Sequence, residues 1–147
     1  MSRPQLATVR FFIDADLRGL ARLVCQERPD ITYLGDEGAL IRRRFRPPCP
    51  IPATAIKDVE WIPEVAARGW LIITRDRKIQ QHTRERHAVR DHRAKMVNLF
   101  SDDAATIWTQ LEVLLTRWRE IEQMHAEPGP FIYSLSRTGQ RRRISLD

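Results

Sequence analysis

A short apolar segment that ends in two carboxylates constrains the fold of this chain most strongly. It covers residues 9–13, has no charged residue between Arg10 and Asp14, and is followed by Asp16 two residues later. An apolar run of this length predicts a strand that is buried on both faces of a parallel sheet. Open α/β sheets bind their ligands beyond the carboxyl ends of such strands, so the acids mark a candidate site.

Two roles are open for these acids. Aspartate is a favoured N-cap, because its side chain accepts hydrogen bonds from the first backbone N–H groups of a helix. Asp16 lies nearer to the helix predicted to start at Leu17, so a cap and a site residue are equally good interpretations of it. One N-cap position needs one residue, which leaves Asp14 as the stronger candidate for a functional role.

Strand and helix patterns alternate along the first hundred residues. Apolar residues recur at helical spacing over residues 17–24, and strand patterns follow at 31–34, 70–74 and 96–100. A strand, a helix and a second strand in this order predict a parallel pair joined by a right-handed crossover. The sequence therefore predicts an α/β domain with a mainly parallel central sheet.

Regular patterns are missing between the second and third strands. Residues 39–54 contain the arginine-rich run 42–46 and four prolines within residues 47–52. Proline lacks the backbone N–H that central strands need, so this segment is predicted to be a surface loop. Pro63 is predicted to be the first residue of a short helix that ends at Arg68, because proline is favoured at that position.

Residues 79–93 have a polar helical pattern. Their histidines are His82, His87 and His92. A spacing of five places successive side chains well off one helical face, so we interpret them as exposed polar residues and not as metal ligands.

A wide apolar stripe predicts a long buried helix after the last parallel strand. Asp102 and Asp103 precede it and are interpreted as its N-cap and first-turn acids. Residues 1–127 are predicted to form one domain, and residues 128–147 a terminal hairpin or flexible basic arm. The stripe consists of Ala104, Ile107, Trp108, Leu111, Leu114, Leu115, Trp118 and Ile121.

Composition narrows the possible functions. The chain has 147 residues, of which 42% are hydrophobic and 30% charged, which is the composition of one globular domain. Its net charge of +6 favours a polyanionic partner such as nucleic acid. It has no apolar run of membrane-spanning length and no signal-peptide pattern, so a cytoplasmic protein without a membrane partner is expected. Cys25 and Cys49 lack metal-ligand spacing and are expected to be reduced thiols.

Four motifs together resemble a known family. They are Phe11-Phe-Ile-Asp-Ala-Asp-Leu17, Gly35-Asp-Glu-Gly38, Asp58-Val-Glu-Trp61 with residues 66–69, and Ile72-Ile-Thr-Arg-Asp-Arg-Lys78. Over residues 9–100 the chain resembles a PIN-like domain, of the group related to VapC-type toxin ribonucleases of toxin–antitoxin pairs. The resemblance implies a three-layer α/β/α fold and a metal-dependent ribonuclease.

The same resemblance implies a set of catalytic and metal-binding acids. Matched by motif, they are Asp14, Asp36, Asp58 and Asp76. Asp36 lies in a turn between two glycines, where Glu37 is the alternative second acid. Hard cations such as Mg²⁺ or Mn²⁺ take oxygen ligands, and they can activate water for phosphodiester hydrolysis. Phosphate contacts are predicted for the basic residues Arg42, Arg43, Arg44, Arg75, Arg77 and Lys78, for the whole run 42–46, and for the run 141–143.

Two other interpretations of the chain remain open. A strand followed by Asp14 and Asp16 also resembles haloacid-dehalogenase-like phosphatases, although Leu17 and Arg18 depart from the pattern of that family. The third interpretation is a catalytically silent binding module for nucleic acid or protein that keeps a PIN-like fold. If the toxin interpretation is right, the partners are an RNA substrate and a cognate antitoxin protein. A homodimer is one of the oligomeric states left open.

Overall fold

The computed structural model of the chain describes residues 3–52, 58–76, 79–100 and 102–147. Numbered in chain order, the strands of these residues are β1 (Gln5–Leu6), β2 (Phe11–Ile13), β3 (Ile31–Tyr33), β4 (Ala39–Ile41), β5 (Arg44–Arg46), β6 (Leu71–Thr74), β7 (Lys95–Leu99), β8 (Phe131–Leu135) and β9 (Arg142–Arg143). The α-helices are α1 (Arg18–Val24), α2 (Asp58–Ala67), α3 (Thr83–Asp91), α4 (Ile107–Thr116) and α5 (Trp118–Ala126). Single-turn 3-10 helices, Ala15–Leu17 and Ile79–Gln81, precede α1 and α3.

The larger of two sheets has the spatial order β3-β2-β6-β7-β8-β9. Its first five strands are all parallel, and β9 runs antiparallel to β8. If these five strands are renumbered by their own order in the chain, they lie in the order 2-1-3-4-5, which is a doubly wound arrangement. The prediction of a mainly parallel central sheet is therefore confirmed.

Side chains along the central strands alternate between two hydrophobic layers. On one face, Phe11 and Ile13 pack with buried residues of α1, α4 and α5. On the other face, Phe12 packs with Trp61 of α2 and Val89 of α3. Helices therefore cover both faces of the sheet, as the predicted three-layer α/β/α fold requires.

Residues 39–46 form a hairpin and not the predicted surface loop. β4 pairs antiparallel with β5, and β5 also pairs in parallel with β1, which gives a second sheet of three strands. The two turn residues, Arg42 and Arg43, have positive φ angles of 46° and 71°. Positive φ at both central residues defines the type I′ turn, whose twist suits a two-residue hairpin. The prolines that suggested a loop start at Pro47, directly after β5, so they do not interrupt the strand.

α2 starts five residues earlier than predicted. Pro63 is its sixth residue and not its first. A proline at this position cannot donate to the carbonyl of Val59, so the helix lacks one of its own hydrogen bonds. The buried face of the helix compensates, because Trp61, Ile62 and Val65 all pack into the core.

The predicted C-terminal helix differs in its start and in its buried face. Thr106 is the N-cap of α4, through a capping box with Thr109, so neither Asp102 nor Asp103 has this role. The apolar stripe is also not uniformly buried, since α4 packs on the domain along one narrow side. The exposed members of the stripe are Ile107, Trp108 and Leu115.

Arg117 divides the predicted long helix into α4 and α5. The residue is only 8% exposed. Its guanidinium donates to the backbone carbonyl of Ser136 at 2.8 Å and to the carboxylate of Glu120 at 2.7 Å. The segment after β8 is thereby attached to the helical layer.

Residues 131–135 form β8 inside the larger sheet. Each residue of β8 pairs with one of β7, from Lys95 with Phe131 to Leu99 with Leu135. The boundary predicted at residue 127 therefore lies between α5 and β8, a strand of the same sheet as β2 and β6. Within the described part of the chain, no helix has both the length and the apolar character needed to cross a membrane.

Candidate metal and nucleic-acid site

The two adjacent strands β2 and β6 mark a candidate site. From β2 the chain crosses to β3 on one side of it, and later returns to form β6 on its other side. Doubly wound sheets bind ligands at this reversal of direction, in the crevice beyond the carboxyl ends of the strands. β2 is followed there by Asp14, and β6 by Arg75 and Asp76.

The neighbouring strand holds the carboxylate of Asp14. Oδ2 of Asp14 accepts a hydrogen bond of 2.9 Å from the hydroxyl of Thr74, and Oδ1 accepts one of 2.6 Å from the N–H of Ala15. Asp14 is thus the N-cap of the 3-10 helix, so of the two acids it is Asp14 and not Asp16 that has this capping role. The two bonds fix the orientation of the carboxylate at the end of β2.

The backbone of Asp76 is fixed by the next parallel strand. The side chain of Asn98 accepts from the Asp76 N–H at 2.7 Å and donates to the Asp76 carbonyl at 3.1 Å. Asn98 pairs in register with Thr74 on one side and with Ser134 on the other. Together with Asp14, these residues make a polar row across the carboxyl edge of an otherwise apolar sheet.

Asp76 converges with two residues from the start of α3. His82 is the N-cap residue of this helix, and Glu85 lies in its first turn. Nδ1 of His82 lies 2.6 Å from Oδ2 of Asp76 and 3.2 Å from Oε2 of Glu85. The prediction that His82 is exposed is confirmed, and the prediction that it is not a metal ligand stays a prediction. Its ring contacts two carboxylates, in a group that could hold a metal ion.

Asp36 has a set of partners that was not predicted. Its carboxylate is 3% exposed and pairs with the equally buried guanidinium of Arg46, at 2.7 Å between Oδ2 and Nε. It also accepts from the hydroxyl of Thr32 at 2.8 Å and from the N–H of Gly38 at 2.9 Å. Both oxygens are thus engaged by protein donors, which is the geometry of a structural anion and not of an open metal ligand.

The remaining contacts of Arg46 explain why it is buried. Its Nη1 donates to the backbone carbonyls of Cys25 and Arg28, at 3.1 Å each. Arg46 on β5 therefore attaches the small sheet to the end of α1. Because it is buried, it is not available to contact phosphate, as was predicted for the run 42–46. Burial beside this contact raises the pKa of the Cys25 thiol to about 12.

Some of the predicted site residues lie outside the described part of the structure. Asp58 is the first residue of α2, but its side chain is not described, and Arg77 and Lys78 lie outside the described residues. Arg75 is half-buried, and its Nε has no hydrogen-bond partner among the residues that are described.

The arginines of the hairpin lie at the amino edge of the sheet. Arg42 and Arg44 line a cavity of about 350 Å³ together with Arg10 and Asp30, the residues that precede β2 and β3. This edge is four residues, or about 13 Å, from Asp14 along β2. Burial raises the pKa of Asp30, but hydrogen bonds from Arg10 and Arg28 outweigh it, and the pKa lies below its usual value. These arginines therefore do not surround the acids, and a contact between them and RNA remains a prediction.

A different arginine reaches the carboxyl edge. Arg142 on β9 is exposed and pairs in register with Ser134, the last member of the polar row. Its neighbour Arg141 is engaged elsewhere, 3.1 Å from the carboxylate of Glu127 and stacked over the ring of Tyr133. Of the basic run 141–143, Arg142 is thus placed to interact with a polyanion at the acid edge.

Sequence reasoning missed three residues of this site, although each left a signal. Asn98 is a polar residue within an apolar strand pattern. His82 and Glu85 are three residues apart, a spacing that brings two side chains to the same side of a helix. The spacing of five between the histidines does not reveal this pair, because the partners of His82 are acids and not other histidines.

Comparison with known proteins agrees with this architecture. A family model described as a PIN like domain matches residues 9–101, a range that contains Asp14, Asp76 and the start of α3. The chain belongs to the PIN-like domain family. No curated protein and no solved structure matches it. The family match decides against the haloacid-dehalogenase alternative, while the relationship to VapC-type toxins remains a prediction.

PIN-like domains are generally nucleases and usually bind a divalent metal. The donors at this edge fit such an ion. Asp76, His82 and Glu85 offer two carboxylate oxygens and one imidazole nitrogen within 4.8 Å of one another. First-row divalent cations accept ligands of both kinds.

Proposed function

We propose that this PIN-like protein is a divalent-metal-dependent ribonuclease that acts at the carboxyl edge of β2 and β6. The observation that carries the proposal is that Asp14 and the Asp76 cluster follow two neighbouring strands at the reversal of strand order. Asp14 is bonded to Thr74, only two residues before Asp76 in the chain. Two strands of one rigid sheet thus present their acids to one crevice.

The proposed roles follow from the contacts. Asp14 and Asp76 would hold the metal, and Asp58 would join them, as the resemblance implies. When bound, the ion would activate water and neutralise charge that develops on the phosphate. Thr74 orients the carboxylate of Asp14, and Asn98 fixes the backbone of Asp76. These two residues position the acids and need not contact RNA.

Charge supports RNA as the substrate class. The net charge of +6 attracts a polyanion. The acids of the site repel RNA phosphates, so basic side chains close to them are needed for RNA to bind there. Arg75, next to Asp76, and the exposed Arg142 at the end of the polar row are the proposed phosphate contacts. A single strand that follows this row would pass from β9 towards β6.

The test is RNA cleavage by the purified full chain with Mg²⁺ or Mn²⁺. We expect single-stranded or structured RNA to be cut, EDTA to stop the reaction, and DNA of the same sequence to remain intact. Asp76→Asn should abolish cleavage without unfolding the protein. Asp91→Asn is the matched control, because Asp91 is an exposed acid at the other end of α3.

Continued cleavage in EDTA, or by the Asp76→Asn variant, would refute this mechanism. Specific RNA binding with no cleavage under any metal would instead identify the silent binding module. DNA cleavage at an equal rate would contradict the choice of RNA as substrate class.

We also propose that the protein acts as the toxin of a toxin–antitoxin pair. The resemblance to the VapC-related group supports this role, which predicts a neighbouring reading frame for a small DNA-binding antitoxin. Co-expression with that protein should suppress both RNA cleavage and growth inhibition. Growth that is unaffected by the active protein alone would refute the toxin role and leave the nuclease proposal standing.

A further inference from the structure

We propose that Asp76, His82 and Glu85 form a mixed nitrogen–oxygen site that selects Mn²⁺, Co²⁺ or Zn²⁺ over Mg²⁺. The inference deepens the proposed function by naming the class of metal, and it rests on that function for the role of the ion in catalysis. Metal binding itself can be measured without RNA. The set contains an imidazole, so it differs from the four acids that the sequence predicted.

Two rigid elements hold the three side chains in place. Asp76 follows β6, and both its N–H and its carbonyl are bonded to the buried side chain of Asn98. His82 and Glu85 are held by the first turn of α3, at the N-cap and three residues beyond it. Preorganised ligands lose little conformational entropy on binding, so even three donors can form an effective site.

The spacing of the donors suits a small dication. With bonds of 2.0–2.2 Å, neighbouring ligand atoms lie about 3.0 Å apart in octahedral and about 3.4 Å apart in tetrahedral coordination. Nδ1 of His82 is 2.6 Å from Asp76 Oδ2 and 3.2 Å from Glu85 Oε2. Shifts of well under 1 Å would therefore bring these two distances to coordination values, and the two carboxylate oxygens lie within 4.8 Å of one another.

Burial gives the site a closed base and an open side. The side chain of Glu85 is 8% exposed and that of Asp76 is 16% exposed, whereas that of His82 is 47% exposed. An ion can enter from the exposed side of His82, and that side leaves coordination positions for water or phosphate.

Ligand chemistry gives the selectivity. Mg²⁺ binds carboxylates and water, keeps several waters, and gains little from an imidazole. Co²⁺ and Zn²⁺ gain most from an imidazole nitrogen, and Mn²⁺ gains less, because affinity rises from Mn²⁺ to Co²⁺ along the Irving–Williams order and Zn²⁺ suits imidazole. His82 should therefore strengthen binding of the second group and leave binding of Mg²⁺ almost unchanged.

The experiment is metal titration of the full chain, followed by calorimetry for Mg²⁺, Mn²⁺ and Zn²⁺ and by visible absorption for Co²⁺. His82→Ala should weaken Mn²⁺, Co²⁺ and Zn²⁺ at least 10-fold and change Mg²⁺ affinity less than two-fold. Glu85→Gln should weaken all four ions. His92→Ala removes an exposed histidine at the far end of α3 and is the matched control.

Folding is checked by the melting temperature of each metal-free variant. If His82→Ala unfolds, His82→Asn replaces it, since an amide can keep a hydrogen bond to the acids but coordinates these ions weakly. Unchanged affinity for Zn²⁺ and Mn²⁺ in the folded variant, or an equal loss for Mg²⁺, would overturn the inference and leave a hydrogen-bonded triad.

The two proposals fail in different ways. Metal binding that depends on His82 in a protein that cuts no RNA would overturn the nuclease proposal and support the metal site. RNA cleavage that needs Asp76 but not His82, whichever metal is supplied, would support the nuclease proposal and overturn the mixed nitrogen–oxygen site.

Discussion

Removal of the Asp36 carboxylate leaves the guanidinium of Arg46 buried without its counter-ion. Both side chains are 3% exposed, and two hydrogen bonds, at 2.7 and 3.3 Å, join them. The hydroxyl of Thr32 and the N–H of Gly38 lose their acceptor as well. If Asp36 were a metal-binding acid, as the resemblance implies, Asp36→Asn would stop catalysis and spare the fold, whereas the structure predicts a loss of stability.

Breaking a buried ion pair from one side costs about 3–5 kcal/mol. Asp36→Ala should lie at the upper end, because each stranded donor adds about 1 kcal/mol or more. Asp36→Asn keeps the shape and one acceptor oxygen, so about 3 kcal/mol is expected. For a domain of this size, 1 kcal/mol shifts the melting temperature by about 2–4 °C, so Asp36→Ala should lower it by about 10 °C or more.

The assay is urea unfolding followed by far-UV circular dichroism. Glu37→Gln is the matched control, because Glu37 is the exposed neighbour of Asp36 and its loss should change the unfolding free energy by less than about 0.5 kcal/mol. The double variant Asp36→Leu with Arg46→Met removes the uncompensated charge and should recover part of the lost stability. The donors of Thr32 and Gly38 and the carbonyls of Cys25 and Arg28 still lose their partners in it, so it should stay below the wild type.

An Asp36→Asn variant with wild-type stability and no RNA cleavage would refute this reasoning. It would restore Asp36 as the second metal-binding acid of the site. A destabilised variant that still cleaves RNA in its folded fraction would establish the structural role.

Two further outcomes are expected. RNA affinity should depend less on salt in Arg142→Gln, where the slope of log affinity against log salt concentration should fall by about 0.7. Arg44→Gln, at the opposite edge of the sheet, should change this slope less. Binding isotherms at several salt concentrations measure both slopes, and equal effects would contradict the proposal that RNA binds at the carboxyl edge. Burial raises the pKa of Cys25 from 9.0 to about 12, so the thiolate forms more readily in the unfolded chain and stability should fall as the pH rises from 9 to 12. Denaturant titration across that range, with Cys25→Ser as control, measures this fall, and a flat profile would be inconsistent with the burial of the thiol.

The strands of the larger sheet could be predicted because burial leaves a local pattern. β2 and β6 are continuous apolar runs, and every residue from Phe11 to Ile13 is fully buried. The hairpin of β4 and β5 could not be found in this way. Its strands are as short as β2, but their residues Leu40 and Phe45 are exposed, so no run of buried residues marks these strands in the sequence.

The position of a candidate site residue was predictable where that residue follows a strand, as Asp14 and Asp76 do. It was not predictable where the role of a residue depends on a distant partner. Arg46 belongs to an arginine run that looks like surface charge, and its burial depends on Asp36, ten residues earlier. Nothing in the local sequence distinguishes a paired carboxylate from a metal ligand, so the buried ion pair of Asp36 could not be predicted from its glycine-flanked turn.

A backbone hydrogen bond joins the two ends of the segment that carries the hairpin of β4 and β5. The backbone carbonyl of Asp36 accepts a hydrogen bond of 2.9 Å from the N–H of Cys49, so the chain leaves for the hairpin and returns from it at almost the same point. At Gly38 a methyl group would lie only 2.5 Å from the carbonyl oxygen of Arg46. Insertions or deletions at the tip of the hairpin therefore change its length and do not alter the spacing of β2 and β6, the strands that Asp14 and Asp76 follow. The length of the hairpin and the spacing of these acids can thus vary separately within one chain.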